Sequence, residues 1–484
     1  MAWHVTHSGL DHRPRPWSQR AAHGDRAAEG GRPGGGGSRD RLVRDSFLSA
    51  SMTKSGGRFG ACLLLLAAGL AGCDTSDRAL VTEPDPVELP PGFTHVTTGY
   101  HHSCVLDGQG EAYCWGHNVN RGQLGDGTYV DSSIPVRVLG SIRFRELAGG
   151  AHHTCGLTAA GFVYCWGKND FGQLGNGTFE DTPIPMPVTG GHRFATVVAG
   201  ASHTCGLTFE GEAYCWGTNG RGQLGDGGTE TATEPVAVVG GLRFELLAAG
   251  FDHACGIVAG GQAYCWGKNS EGQLGDGTLT YRNAPVPVGG DLRFLESGAG
   301  RIAGGQNHTC AITVDRQLYC WGDNWHNQLG LSSTRSVVRL PQAVAGMLPV
   351  DQVAAGGDHT CVTDAEGIAW CWGDSKRGQL GVEGELTDYN PPAPVAGGHS
   401  FTSLSLGWDH TCGIVTAGDV YCWGYNGFGQ LGIGEGGNRR YPMQVIFPET
   451  DSPEVASPDI AVAGAQTTAV STRPPRALPS STSL

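Results

Sequence analysis

The chain has 484 residues and a formal net charge of −14, with 80 Gly and only 16% charged side chains. So much Gly excludes a largely helical protein, because each helical Gly costs about 0.5–1 kcal/mol relative to Ala, and it suits short strands joined by tight turns. Ten of the 32 basic and five of the 46 acidic residues precede residue 61, and residues 61–72 carry neither. From Cys73 onward 22 basic therefore face 41 acidic residues, a net charge of −19, and a surface of that sign repels phosphate backbones, so no nucleic-acid partner is expected.

Residues 1–51 are rich in Arg, Gly and Pro, with Gly34 to Gly37 in a row. They lack apolar periodicity and read as a disordered leader, or as an upstream stretch before a true start at Met52. Residues 52–72 change character: Lys54 and Arg58 precede the apolar run Ala61 to Ala71, which is too short for an ordinary membrane-spanning helix. The run closes on Leu70-Ala71-Gly72-Cys73, which resembles the lipobox of bacterial lipoproteins. That resemblance implies lipidation at Cys73 and a chain held by its acyl groups to a membrane of the bacterial cell envelope, inner or outer left open. A short apolar segment by chance and a plain secretory signal are the alternatives. Residues 73–84 are polar and read as a tether.

From residue 85 to 448 one sentence is written seven times. One copy runs Ala151-His152-His153-Thr154-Cys155-Gly156-Leu157-Thr158, then Val163-Tyr164-Cys165-Trp166-Gly167, then Gly172-Gln173-Leu174-Gly175. Within a unit four short strands are expected: Ile184–Val188, Phe194–Ala199, His203–Thr208 and Ala213–Trp216, the last two joined by a Gly-containing turn. Four antiparallel strands per repeat of about 50 residues indicate propeller blades, so the expected fold is all-β, a seven-bladed β-propeller. A five-residue insertion falls around Gly298–Gly304. At the ends, Pro86-Val87 reads as the first unit's own outer or inner strand, and Tyr441–Ile446 looks like another first strand. In the tail, 449–484, the stretch from Val462 to Thr468 looks like a degenerate part-unit, at 458–472, that either helps to close the ring or is loose.

The motifs His-Thr-Cys-Gly-Leu-Thr, Tyr-Cys-Trp-Gly and Gly-Gln-Leu-Gly, recurring in that order, resemble the regulator-of-chromosome-condensation repeat, a family that folds as a seven-bladed propeller. The paired cysteines are a variation on that family's pattern.

Fourteen of the sixteen cysteines form seven pairs: Cys104 with Cys114, Cys155 with Cys165, Cys205 with Cys215, Cys255 with Cys265, Cys310 with Cys320, Cys361 with Cys371 and Cys412 with Cys422. In a hairpin centred on the turn between them, the members of a pair stand opposite each other on one face. At the usual cross-strand Cα separation of about 4.5–5.5 Å a disulfide fits, and export supplies the oxidising compartment. Metal binding by one His and two Cys per unit, or free thiols, are the competing readings, although a zinc site wants a fourth ligand or water. The histidines repeated in every unit, such as His153 and His203, are expected to be buried hydrogen-bonding groups, and the tryptophans before Gly to be packing groups between blades. The Gly-Asp-Gly-Thr segments read as turns rather than calcium loops.

Function is expected where the copies differ. The turn between Phe194–Ala199 and His203–Thr208, and the connection after Trp-Gly, lie on one face of the ring. There Tyr100, Phe251 and Trp408 precede the repeated His, and Tyr281, Trp325, Tyr389 and Phe428 sit on connections. Aromatics on variable loops of a rigid ring suit a protein-binding surface, or else cover their own blade edges. With no catalytic constellation confined to one unit, the chain reads as a non-enzyme without cofactor or metal, an exported scaffold for an unidentified protein partner. Inhibition of an exported hydrolase is an alternative, and the family resemblance adds nucleotide exchange on a small GTPase should the product be cytosolic.

Overall fold

The hairpin that carries each cysteine pair is the local unit from which the fold is built. In the second repeat His153–Thr158 and Val163–Gly167 pair antiparallel with Cys155 opposite Cys165. Phe144–Gly149 adds on one side and Thr182–Pro187 on the other. The same four-stranded sheet recurs seven times, each built from consecutive strands. The molecule is thus an all-β, seven-bladed propeller. This computed structural model describes residues 92–331, 336–347, 349–384 and 390–448. The leader, the signal segment, Cys73, the tether, Pro86-Val87, Tyr389 and the stretch from Val462 to Thr468 lie outside the described residues.

Phe194–Ala199 and His203–Thr208 form strands with the bounds the sequence indicates. The blade boundary differs. Ile184–Val188 was expected to open the unit containing Phe194; instead Thr182–Pro187 is the outer strand of the preceding blade, with Met186 opposite Cys165. Tyr441–Ile446 is corrected likewise: Arg439–Gln444 is the outer strand of the seventh blade. The physical reason is the prolines. Pro183, Pro185 and Pro187 cannot donate to a second neighbour, so this strand fits only at a sheet edge, where it also blocks edge-to-edge pairing. The insertion shortens the inner strand of the fifth blade to Ile302–Gly304.

The core lies between blades. Cys155, Cys165 and Leu157 of the second blade pack on Phe194, Val197 and Trp216 of the third. One polar relay crosses the same interface. Trp216 Nε1 and Thr204 Oγ1 both donate to the carbonyl oxygen of Gln173, at 3.0 and 2.9 Å. Thr204 Oγ1 stands 2.9 Å from His153 Nε2. The Gly-Gln-Leu-Gly motif follows from this geometry. Gln173 offers its backbone oxygen, Leu174 is fully buried, and a Cβ on Gly175, at φ +66°, would lie 2.7 Å from Trp216 Nε1. Gly200 is small for a similar reason, since a Cβ there would meet the His203 ring at 2.1 Å.

Among the described residues each sheet is one continuous stretch, so no strand there crosses the seam between the seventh and first blades. The relay closes it instead: Ser103 Oγ donates to Gln430 O at 2.9 Å and accepts from His410 Nε2 at 3.0 Å. Trp115 Nε1 donates to the same carbonyl at 2.9 Å. Two further contacts reinforce the seam, a hydrogen bond from Thr98 N to Ser405 Oγ (3.0 Å) and a stack of Phe93 on Phe447 at 4.1 Å.

Candidate functional site

The repeated chemistry-bearing residues are all spent on the fold. Each cysteine pair named from the sequence is a disulfide. Cys104 is bonded to Cys114 in the first blade, Cys155 to Cys165 in the second and Cys205 to Cys215 in the third. Cys255 is bonded to Cys265 in the fourth, Cys310 to Cys320 in the fifth, Cys361 to Cys371 in the sixth and Cys412 to Cys422 in the seventh. All seven have a Cα–Cα distance of 4.1 Å. The expected separation is corrected by that value: the pairs are closer, as fits the tighter, non-hydrogen-bonded type of cross-strand site. The bonded sulfurs leave neither free thiol nor thiolate at these positions for a metal. The repeated histidines are fully buried. Because Thr204 gives its one hydroxyl proton to Gln173, it accepts from His153, which fixes the neutral Nε2–H tautomer. Burial, helped by His203 and His152, holds the His153 pKa down at about 3.

What varies from blade to blade is the face that carries the short loop between the inner and second strands and the long connection after Trp-Gly. The short loops join one another around the axis. Ala151 N donates to Ala201 O (3.2 Å), Ala201 N to Phe251 O (2.9 Å), and Gly357 N to Gly407 O (3.2 Å). On this ring the structure brings together three of the aromatics singled out in the sequence. Tyr100 stacks on Trp408 at 4.1 Å, Phe251 lies 4.7 Å from Trp408, and Tyr100 lies 5.5 Å from Phe251. Contributed by the first, fourth and seventh blades, they line one end of an axial cavity of 740 Å³ walled by the inner strands.

The other candidates divide. Phe428 of the seventh blade bridges the seam to the first, 5.0 Å from His101 and 4.6 Å from His117. Tyr281 and Trp325 are exposed, at 46% and 57%. Tyr389 is outside the described residues. On the opposite face Phe209 and Val314 project singly from hairpin turns, and Phe162 lies under the Arg193 guanidinium.

Sequence reasoning passed over the polar residues beside these aromatics. They occupy the column directly before the repeated His and the one directly after Trp-Gly, and writing the seven copies in register would have exposed them. In the first and second blades the columns hold His101, His117, His152 and Lys168. Burial, with His117 adding to it, lowers the His101 pKa to about 4; burial and then Arg121 lower that of His152 to about 3. In the fifth to seventh blades they hold Asp323, Asp358, Asp374 and Asp409. Burial, then the repulsion of Asp323, Asp374 and Asp409 against the opposing effect of His326, pushes Asp358 up to about 6. Burial and Asp374 push Asp409 up to about 6 as well. Imidazoles thus gather in the first two blades and carboxylates in the last three, with Asp252 and Lys268 in the fourth blade between them.

The repeat pattern described as "Regulator of chromosome condensation (RCC1) repeat" matches seven successive segments, 109–157, 160–207, 210–257, 260–312, 315–363, 366–414 and 417–470. The chain is 39% identical over 152 residues to the ultraviolet-B receptor UVR8 of Arabidopsis thaliana, an aligned stretch of 31% of this chain and 34% of that protein. The chain thus spans about a third of that relative's length. Among solved structures, human WBSCR16 superposes with a TM-score of 0.63 at 23% identity, covering 70% of this chain and 94% of that one. Yeast RCC1 (Prp20), solved with Kap60 bound to it, has a TM-score of 0.63 at 24% identity, covering 70% and 84%. At these identities the superpositions speak for the fold alone.

Proposed function

The chain belongs to the regulator of chromosome condensation (RCC1) repeat family, and from that premise we propose that it is an exported, lipid-anchored propeller that binds a protein partner through its variable face and is not an enzyme. One observation carries the reading. The inter-blade relay is nearly constant around the ring, whereas the columns flanking it on one face change from Tyr100-His101 through Phe251-Asp252 to Trp408-Asp409. A rigid frame that presents a different loop on each blade is how propellers build a recognition surface. The Kap60 complex of the yeast relative is in keeping with protein binding by this fold.

Export and anchoring rest on the Leu70-to-Cys73 motif, and the seven disulfides support them, because such bonds persist in oxidising compartments. The same bonds weigh against a cytosolic GTPase as partner. Inhibition of an exported hydrolase is one form that the protein binding could take.

The test is the intact mass of the mature product after expression from Met52 in a bacterial host, with and without reduction. The expected mass begins at Cys73 with acyl chains added and rises by about 14 Da on reduction, two hydrogens for each bridge. An unprocessed product with free thiols would overturn export and anchor together.

A further inference from the structure

Resting on the reading of the variable face as a protein-binding surface, we infer that its axial end, between the Asp358 and Asp409 carboxylates and the Tyr100–Trp408 stack, receives a cationic side chain of the partner, a guanidinium or an ammonium.

The inference starts from how the fold treats an acid in the column before the repeated His. At the junction of the third and fourth blades that acid is Asp252, and the preceding connection supplies Arg221 as an ion-pair partner at 2.5 Å. At the next two acids the arrangement is left incomplete. The connection before Asp358 supplies His326, and among the described residues the Asp358 carboxylate receives a single long hydrogen bond, 3.3 Å from Gln328 Nε2. The connection before Asp409 supplies Arg377, but that guanidinium lies over the Tyr425 ring, 5.2 Å from its centroid. Among the described residues the Asp409 carboxylate makes neither hydrogen bond nor ion pair. A third acid, Asp374, is only 9% exposed. Its Oδ2 accepts from Gln379 Nε2 at 3.2 Å, while its Oδ1 is buried and takes no hydrogen bond. Lys376 Nζ forms an ion pair with that oxygen at 3.5 Å.

The aromatic stack forms the wall of the site. The Trp408 ring lies over Gly357, where a Cβ would come within 3.4 Å of its Cδ2, and Tyr100 stacks on it at 4.1 Å. Gly357 and Trp408 directly precede the two acids, and both carboxylates lie near enough to Tyr100 to add to the rise that burial gives its hydroxyl pKa. Lys376 and Arg377 only partly offset the charge of these carboxylates, and burial first, then mutual repulsion, raises the pKa of Asp358 and of Asp409. A cation placed among them offsets the repulsion, and it acts more strongly there than in open solvent because the wall keeps water off one side. The net charge of −19 from Cys73 onward steers cations toward the chain. No group of three or more His, Cys, Asp or Glu among the described residues converges as metal ligands do. An organic cation with spread-out donors therefore fits better than an ion, and the planar fork of Arg suits two separate carboxylates best.

The test pans a phage-displayed random dodecapeptide library against the full-length chain and against the double variant Asp358→Asn with Asp409→Asn. The expected result is enrichment of Arg or Lys at one peptide position, with the selected peptides bound at least tenfold more weakly by the double variant, whose melting curve shows that it folds. Two single variants on exposed aromatics separate the possible failures. Peptides indifferent to the double variant but lost with Trp325→Ala overturn the cation site and leave the face standing. Peptides lost only with Phe209→Ala, on the opposite face, overturn both. No enrichment of basic residues, or no enrichment at all, overturns the cation site.

Discussion

His203 faces Ala254 across the junction of the third and fourth blades, where every other junction sets the repeated histidine against a hydroxyl. His153 meets Thr204, His359 meets Thr411, and even the seam pairs His410 with Ser103. His203 alone has both ring nitrogens buried without a partner. Ala254→Thr is therefore expected to stabilise the ring by about 1–2 kcal/mol, by adding one buried hydrogen bond and satisfying an orphaned donor. The converse change, Thr204→Ala, orphans His153 and should cost about 1–3 kcal/mol. Chemical denaturation of both variants checks the pair, and a neutral or destabilising Ala254→Thr would show that His203 is satisfied in some other way.

The buried histidines also set the acid limit of the fold. Folded-state pKa values of about 3 for His153, His253, His308, His359 and His410 lie well below the ordinary value of 6.5. A depressed folded pKa means that the unfolded chain binds protons first. The stabilisation is complete above about pH 6.5 and is lost as pH falls from there toward 3. Asp358 and Asp409 work in the opposite direction: raised to about 6, they favour the folded state below about pH 4 and lose that contribution as pH rises through 6. The groups facing Asp358 are His326, Asp323, Asp374 and Asp409, and those facing Asp409 are Asp374, Arg377 and Lys376. Melting temperature followed from pH 8 to 4 should decline in the wild type. The double variant Asp358→Asn with Asp409→Asn should be at least as stable as wild type at pH 7, with the difference shrinking toward pH 4.

Removing one staple should weaken one blade and its neighbour. The bond between Cys155 and Cys165 closes a short hairpin loop and also packs against Trp216 of the next blade. Cys155→Ala with Cys165→Ala is expected to lower stability by about 2–3 kcal/mol from the loop alone. Hydrogen exchange should localise the added opening to the second and third blades rather than spread it around the ring.

Gly175→Ala tests the close approach between loop and tryptophan. Its Cβ would stand 2.7 Å from Trp216 Nε1, and φ is +66°, so both sterics and backbone oppose it. A loss of about 2–4 kcal/mol is expected. By contrast, Gly191→Ala meets nothing within 4 Å, although its φ is +69°, and should cost only the backbone part, about 1–2 kcal/mol. Equal losses in the two variants would refute the packing argument.

The sequence by itself determined whatever lies within one repeat. The seven copies, the hairpin from His203 to Gly217, and the register that sets Cys205 opposite Cys215 are all local. The same register sets Cys255 opposite Cys265, Cys310 opposite Cys320, Cys361 opposite Cys371 and Cys412 opposite Cys422, as it does Cys104 opposite Cys114. The alternation of strand residues and the turn between them leave little freedom. Tertiary structure decided the rest. Thr182–Pro187 stands between Val163–Gly167 and Phe194–Ala199 in the chain, and only its ladder to the former assigns it to the earlier blade. Tyr100, Phe251 and Trp408 were legible as variable aromatics, yet their stacking into one axial cluster depends on closure of the ring, which brings the first, fourth and seventh blades together. The under-partnered Asp358 and Asp409 belong to the same class, because whether an acid finds a cation is set by the neighbouring blade's connection, and Arg221 turns toward its acid where Arg377 turns toward a tyrosine ring.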